Sequence, residues 1–399
     1  MIMRIMHITY QWPNKIYANS GIFIYQTLEQ LVKYCEHNFS VLMVNKLINK
    51  EYIKEKNFTA KNYFNFLYRK DQYFKSLSKI NFIRKCYPPL LGLPKAKGYN
   101  ALIAWQFIRI SVLRYIKKNK ITLLQAHYSN PDGYIAFKVK EKLGIPYIMN
   151  IHGADVQEYQ KLTLKEKWLI KKVYSNADMV ICNSTKTQKL FYQLFDSSIP
   201  TKVIAFGIDF KSSPRKSVEL NNPVKILSVG NLVQIKGIQY VIDALGKLDK
   251  HNFIYHIIGD GPMMNSLKEQ VTAYNLKDKV VFHGRQNHDF VIDYMSNSDI
   301  FVLPSYNEAF GVVYLEALAS GCAVIGVKGQ GCEDINSKKE CIYLVEPQNT
   351  ESIVNAINKI VSDDEKRLEM RRNGYEVVEK YYDWEKLIEE YKLIYDNLS

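Results

Sequence analysis

Long apolar runs are missing from this sequence. No stretch approaches the roughly 18 uninterrupted apolar residues that a membrane-crossing helix needs, so no span is expected. Residues 1–10 (MIMRIMHITY) hold no apolar run ending in a small-residue cleavage site, and they read as a strand, not a signal peptide. Cysteine is sparse. The six residues Cys35, Cys86, Cys182, Cys322, Cys332 and Cys341 include no CxxC pair, which suits reduced thiols in the cytosol and argues against a disulfide framework. No HExxH, DxD or Cys/His cluster stands out, so no metal is expected. The loop 18–25 (ANSGIFIY) lacks a GxGxxG fingerprint, which weakens a nicotinamide reading. Internal repeats, low-complexity tracts and nucleic-acid motifs are also missing, so no nucleic acid partner is expected.

What is present is alternation. With 399 residues, 47% hydrophobic and 24% charged, the chain suits two soluble domains of about 150–200 residues each. In the first half, apolar runs at 3–9, 39–45, 122–128, 146–151, 179–183 and 202–206 read as strands, with helical patterns at 22–34, 100–119, 132–143, 164–176 and 185–195. The second half repeats the scheme. Its strands are expected at 224–229, 253–258, 279–283, 299–303, 323–327 and 341–345, and its helices near 236–248, 263–275, 288–297, 311–320 and 350–362. Such alternation implies α/β architecture with two Rossmann-like, doubly wound parallel sheets, whose ligands sit beyond the carboxyl ends of the strands. The polar stretch 208–223 has linker composition, which divides the chain into domains 1–208 and 209–383. A final amphipathic helix, 384–399, is expected to pack back on the first domain.

The segment 299–335 carries the most specific signal. A strand ends at Pro304, a polar loop follows, and Phe310, Gly311 and Val312 open a helix. Exposed amides at a helix start bind phosphate, and Gly311 lets a ligand approach the backbone. Glu308 and Glu316, eight residues apart, would repel a phosphate but accept hydrogen bonds from sugar and ribose hydroxyls. Alternatively they are solvated charges favoured by the helix dipole.

These residues resemble the family 4 glycosyltransferases, retaining enzymes of the GT-B fold, in which two such domains face a central cleft. The resemblance rests on the Glu308–Glu316 spacing around Phe310-Gly311 and on VKILSVGNLVQIKGIQYVIDAL (224–245). It also rests on IIGDGP (257–262), the HG pair 152–153, SNADMVICNS (175–184) and AFGID (205–209). It implies that Glu308 meets hydroxyls of a donor sugar, Glu316 the ribose, and Lys236 the diphosphate. Asn231 stands where the family usually carries an arginine, so one phosphate cation is lost. Arg285, Val312 and Gly21 are placed on the donor side. His152 would contact the sugar, while Ser20 and Asp155 lie on the acceptor side. His7, His127, His256 and His283 read as packed residues. The resemblance implies a UDP- or GDP-sugar donor, expected to bind without a cofactor and without magnesium. VVYLEALASGCAVIG and GQGCEDI resemble capsule, exopolysaccharide and teichuronic-acid enzymes, which implies a lipid-linked oligosaccharide acceptor.

Charge is uneven along the chain. Residues 1–200 hold 31 Lys and Arg against 12 Asp and Glu, and residues 201–399 hold 23 against 28. The segment 61–86 interleaves seven basic residues with aromatics, a composition suited on helices to an anionic membrane surface. The alternative is a helix pair covering the first sheet with its lysines in water. A peripheral place on the inner face of the plasma membrane is the corresponding expectation. An epimerase on the same fold, or a partner subunit without chemistry, remain as rival readings.

Overall fold

The structure, a computed structural model, describes residues 2–12, 21–46, 77, 80–87, 100–209, 220–248 and 252–399. The chain forms two compact units. One comprises Met1–Asn183, Thr187–Ile204 and Ile388–Ser399, the other Ser184–Lys186 and Ala205–Leu387.

The first sequence half contains β1 (Arg4–Thr9), α1 (Ile22–Tyr34), β2 (Asn38–Lys46), β3 (Asn81–Tyr87), α2 (Asn100–Lys118), β4 (Leu123–Ala126), α3 (Tyr134–Leu143) and β5 (Tyr147–Ile151). There follow the one-turn α4 (Ala154–Gln157), α5 (Leu164–Ser175), β6 (Met179–Cys182), α6 (Thr185–Leu194) and β7 (Thr201–Val203). All strand pairs are parallel, in the order β3-β2-β1-β4-β5-β6-β7. Strands β4 and β5 are buried along their whole length, as strands covered on both faces must be. A capping box starts α5, where the Thr163 hydroxyl accepts from the Glu166 amide and the Glu166 carboxylate accepts from the Thr163 amide.

The second half contains β8 (Val224–Val229), α7 (Ile238–Leu245), β9 (Phe253–Ile258), α8 (Met264–Ala273), β10 (Val280–Gly284), α9 (His288–Ser296) and β11 (Ile300–Val302). It continues with α10 (Val312–Ala319), β12 (Ala323–Val327), α11 (Cys332–Asn336), β13 (Ile342–Val345), α12 (Thr350–Ser362), α13 (Asp364–Tyr381) and α14 (Trp384–Asn397). Its six-stranded parallel sheet runs β10-β9-β8-β11-β12-β13. Helix α7 shows why it packs: Ile238, Val241, Ile242 and Leu245 fall on one helical face, and all are buried. Side chains of Asn287, Asn349 and Asp363 accept amide hydrogen bonds and so start α9, α12 and α13.

Three expectations differ from what is observed. Residues 81–86 are not helical: they lie in β3, in register with β2 from Ser40 opposite Asn81 to Lys46 opposite Tyr87. Phe82, Ile83 and Tyr87 favour a strand, and an edge strand tolerates Arg84 and Lys85, whose charges discourage further pairing. Residues 61–76, 78 and 79 of that basic segment lie outside the described residues. The strand read at 202–206 stops at Val203, and Ala205 and Phe206 pack instead against the core of the second unit. The ends of 208–223 are built in, because the Ile208 amide donates to the Tyr382 carbonyl and the Asn221 amide group to Asp299.

Candidate donor site and its surroundings

In the second unit, the loops after β8, β9, β11 and β12 interlock through backbone contacts that glycine permits. A Cβ on Gly259 would collide with the Gly230 carbonyl, and one on Gly237 with the Pro304 carbonyl. Gly237 has φ +73°, in the left-handed region. The Tyr306 amide donates to the Ile235 carbonyl at 3.1 Å. The short turn Gln234–Lys236 is thereby pressed onto the loop that follows β11, and the Lys236 ammonium lies 2.5 Å from a Glu308 carboxylate oxygen. Both side chains are largely buried, at 21% and 17% exposure. Asn231 is exposed on the same loop.

Glu308 is also held by its backbone. Its amide donates to the Gln330 side-chain oxygen at 3.0 Å, and its carbonyl accepts from the Lys186 ammonium at 3.0 Å. Lys186, which belongs with the second unit, also donates to that Gln330 oxygen at 2.5 Å. Burial pushes the Lys186 pKa down, against the opposing pull of Glu308. Phe310 is buried, and a Cβ on Gly331 would strike the Ala309 carbonyl and the Phe310 Cα. Gly311, at φ +87°, precedes α10, and Val312 is its first residue. The first-turn amides of such a helix lack intrahelical acceptors. Further along α10, Glu316 accepts from or pairs with His288 Nε2 at 3.0 Å, and this hydrogen bond raises the His288 pKa despite partial burial. Arg285 is exposed just beyond β10. The Asp260 carboxylate caps the Gly261 amide at 2.8 Å, a local turn.

In the first unit, Gly21 takes φ +66° and presses on the Gln11 backbone, so a side chain there would clash. Ser20 lies outside the described residues, as does the side chain of Asp155 in α4. His152 directly follows β5, with Phe23 at 4.4 Å and Tyr128 at 5.3 Å between ring centroids. Its ring also stacks on His127, at 5.6 Å and 10°. His127 Nε2 lies 3.0 Å from His7 Nδ1. Burial lowers the pKa of His152 and His7 to about 3 and that of His127 well below the ordinary value, so all are neutral. His256 and His283 form a second such pair, also at 3.0 Å.

Comparison with known proteins decides the family. A profile of "Glycosyl transferases group 1" matches residues 209–377, and one of "Glycosyltransferase Family 4" matches residues 79–212. The putative teichuronic acid biosynthesis glycosyltransferase TuaC of Bacillus subtilis is 30% identical over 69% of this chain and 71% of its own length. The chain belongs to the family 4 glycosyltransferases. Another relative of this glycosyltransferase is the Escherichia coli UDP-Gal:alpha-D-GlcNAc-diphosphoundecaprenol alpha-1,3-galactosyltransferase, 26% identical over 64% of this chain and 70% of that one. Anabaena HepE in complex with UDP superposes with a TM-score of 0.75 over 100% of both chains at 17% identity, which shows the shared GT-B fold.

The glycosyltransferase brings Lys236 and Glu308 into contact and sets Phe310, Gly311 and Val312 at the start of α10. Three contributors escaped sequence reasoning. Lys186 looked like one lysine among many, Gln330 sat unremarked inside GQGCEDI, and His288 gave no sign that it faces Glu316.

Proposed function

We propose that this enzyme is a retaining, metal-independent hexosyltransferase. It moves a sugar from a UDP- or GDP-sugar to a sugar hydroxyl of a lipid-linked precursor of a surface polysaccharide, such as a capsule or exopolysaccharide. The observation that carries the reading is the Lys236–Glu308 pair beside the start of α10. A cation and a carboxylate held 2.5 Å apart suit a diphosphate on one side and sugar hydroxyls on the other. In this reading the 209–383 domain binds the donor. Lys236 and the amides near Gly311 stabilise the departing diphosphate, Glu308 accepts from sugar hydroxyls, and Glu316 accepts from the ribose. Asn231, Phe310, Val312 and Arg285 complete the donor side. The 1–208 domain binds the acceptor, with Ser20 and Asp155 on that side, Gly21 near the donor phosphate, and neutral His152 donating to a sugar hydroxyl.

The bond from the anomeric carbon to the phosphate oxygen breaks with its electron pair leaving on the diphosphate. The acceptor oxygen bonds that carbon on the same face, and its proton passes to the diphosphate. No enzyme nucleophile is needed.

An anionic membrane is the proposed partner surface, at the cytoplasmic face of the plasma membrane. No helix among the described residues is long and apolar enough to cross a membrane. Support comes from the layer in which α2 packs on α3 and α3 on α5. These three helices carry eleven Lys and Arg against Glu141 and Glu166, and they expose Phe107, Ile110, Leu164 and Trp168.

The test is incubation with a panel of UDP- and GDP-sugars, with and without EDTA. Transfer or slow donor hydrolysis that survives EDTA supports the reading. An isomerised nucleotide sugar supports an epimerase, and tight binding without turnover supports a subunit without chemistry.

A further inference from the structure

His7, His127 and His152 come from three neighbouring strands. His7 lies in β1, His127 directly follows β4, and His152 directly follows β5, and the sheet order places β1, β4 and β5 side by side. Side chains two residues apart on a strand share a face. Gln125 and His127 are so related, as are Asn150 and His152. The Gln125 amide group donates to the Asn150 oxygen at 2.7 Å, and the Tyr395 hydroxyl donates to Gln125 at 2.6 Å. A buried polar row therefore underlies the histidine column and pins β4 to β5.

The column itself is costly as mere filling. His7 and His127 are 1% and 2% exposed, and among the described residues His7 Nε2 and His127 Nδ1 have no hydrogen-bond partner. Apolar side chains of similar size would avoid that desolvation. What the arrangement supplies is a fixed, uncharged platform. The contact between His7 Nδ1 and His127 Nε2 holds one proton, so one ring donates and the other accepts. A second proton would set two N–H groups against each other. His127 cannot turn without losing this bond, and the His152 ring lies nearly parallel on it.

We infer that His127, locked by His7, is a positioning residue that sets the ring plane of His152. The inference rests on the proposed role of His152 as a contact to the donor sugar. It adds that the contact depends on a residue at the end of the neighbouring strand β4 that itself touches no substrate.

The test is a double-mutant cycle, read as donor turnover with the nucleotide sugar identified in the panel. His127→Ala is expected to lower kcat between about tenfold and a hundredfold, the scale of a misplaced contact, with KM for the donor changed by less than about threefold. In a His152→Ala background the same substitution is expected to cost less than about twofold, because its effect runs through His152. His127→Phe, which keeps a ring under His152 but loses the bond to His7, should recover only part of the loss. Equal losses in both backgrounds would reduce His127 to general support of the fold and overturn the inference while the reading of His152 stands. An unimpaired His152→Ala enzyme would overturn both. Should His127→Ala fail to fold, His7→Phe, which removes the hydrogen bond and keeps an aromatic ring, goes through the same cycle with the same criterion.

Discussion

Lys236 and Glu308, 72 residues apart in sequence, meet at 2.5 Å because two loops are clamped backbone to backbone at Gly237 and Pro304. The lysine charge is matched by a carboxylate. In the proposed reading, a donor diphosphate competes with Glu308 for Lys236 and so frees Glu308 to accept from hydroxyls. Lys236→Ala is expected to lower turnover at least about a hundredfold, the usual scale for losing one charged transition-state contact, and to change donor affinity less. Asn231→Arg should tighten nucleotide diphosphate binding, measured by calorimetry with UDP and GDP. Unchanged turnover in the first variant would remove Lys236 from the diphosphate.

The His288–Glu316 contact makes a prediction about pH. Glu316 raises the His288 pKa, so the charged pair is complete below the unfolded value of about 6.5 and is lost as pH rises through the folded value. His288 is 64% exposed at its side chain, so the effect on stability is small. In the proposed reading, in which Glu316 meets the ribose, its effect on ligand binding is larger. A protonated His288 holds Glu316 as an ion pair, whereas a neutral one holds it only by a weaker hydrogen bond. UDP or GDP affinity should therefore rise between pH 6 and pH 8, and His288→Asn should flatten that profile. A flat wild-type profile would separate Glu316 from the ribose.

The histidine column acts in the opposite sense. Its rings are neutral in the folded chain, with His7 and His152 lowered to about 3, whereas the unfolded chain protonates them near 6.5. Stability is fully present above pH 6.5 and falls as pH drops toward 3. The slope is about 1.4 kcal/mol per pH unit for each ring concerned. Denaturant melts from pH 7 to pH 4 should show a shallower decline for the His7→Phe/His127→Phe double variant than for the parent. Parallel curves would mean that the rings already carry protons when folded.

The membrane proposal makes a salt-dependent prediction. Sedimentation with vesicles containing phosphatidylglycerol should be strong at 0.1 M salt and weak at 1 M, as the Debye length falls from about 10 Å to about 3 Å. Phe107→Ser/Ile110→Ser should weaken binding at either salt, since both side chains are more than 60% exposed on α2. Arg69, Lys70, Arg84 and Lys85 replaced by Gln should weaken it only at low salt. Equal binding to neutral vesicles would assign the contact to apolar residues alone.

Much of this was legible before any coordinates. Periodicity located nearly every element because buried parallel strands read as short apolar runs and their covering helices as amphipathic ones. The missed β3 shows the limit. Arg84 and Lys85 interrupt its apolar pattern, and only pairing with β2 makes an edge strand of it. The site divides in the same way. Glu308, Gly311 and Glu316 share one segment, so their spacing was visible. Gln330 and Lys186 reach Glu308 from other loops, and contacts of that kind leave no periodic mark. His127 looked like a packed strand-end residue because no single position reveals the ring stacked on it.

The glycine contacts around Lys236 bear on how this enzyme can be re-engineered. Gly237, Gly259 and Gly331 each face a backbone atom at a distance no Cβ could occupy. In a saturation library these columns should go dark whatever the selection. Variation is then left to side chains that project from this rigid weave, chiefly Asn231, Arg285 and His288. Retuning substrate choice would amount to changing the bristles on a brush whose handle is fixed.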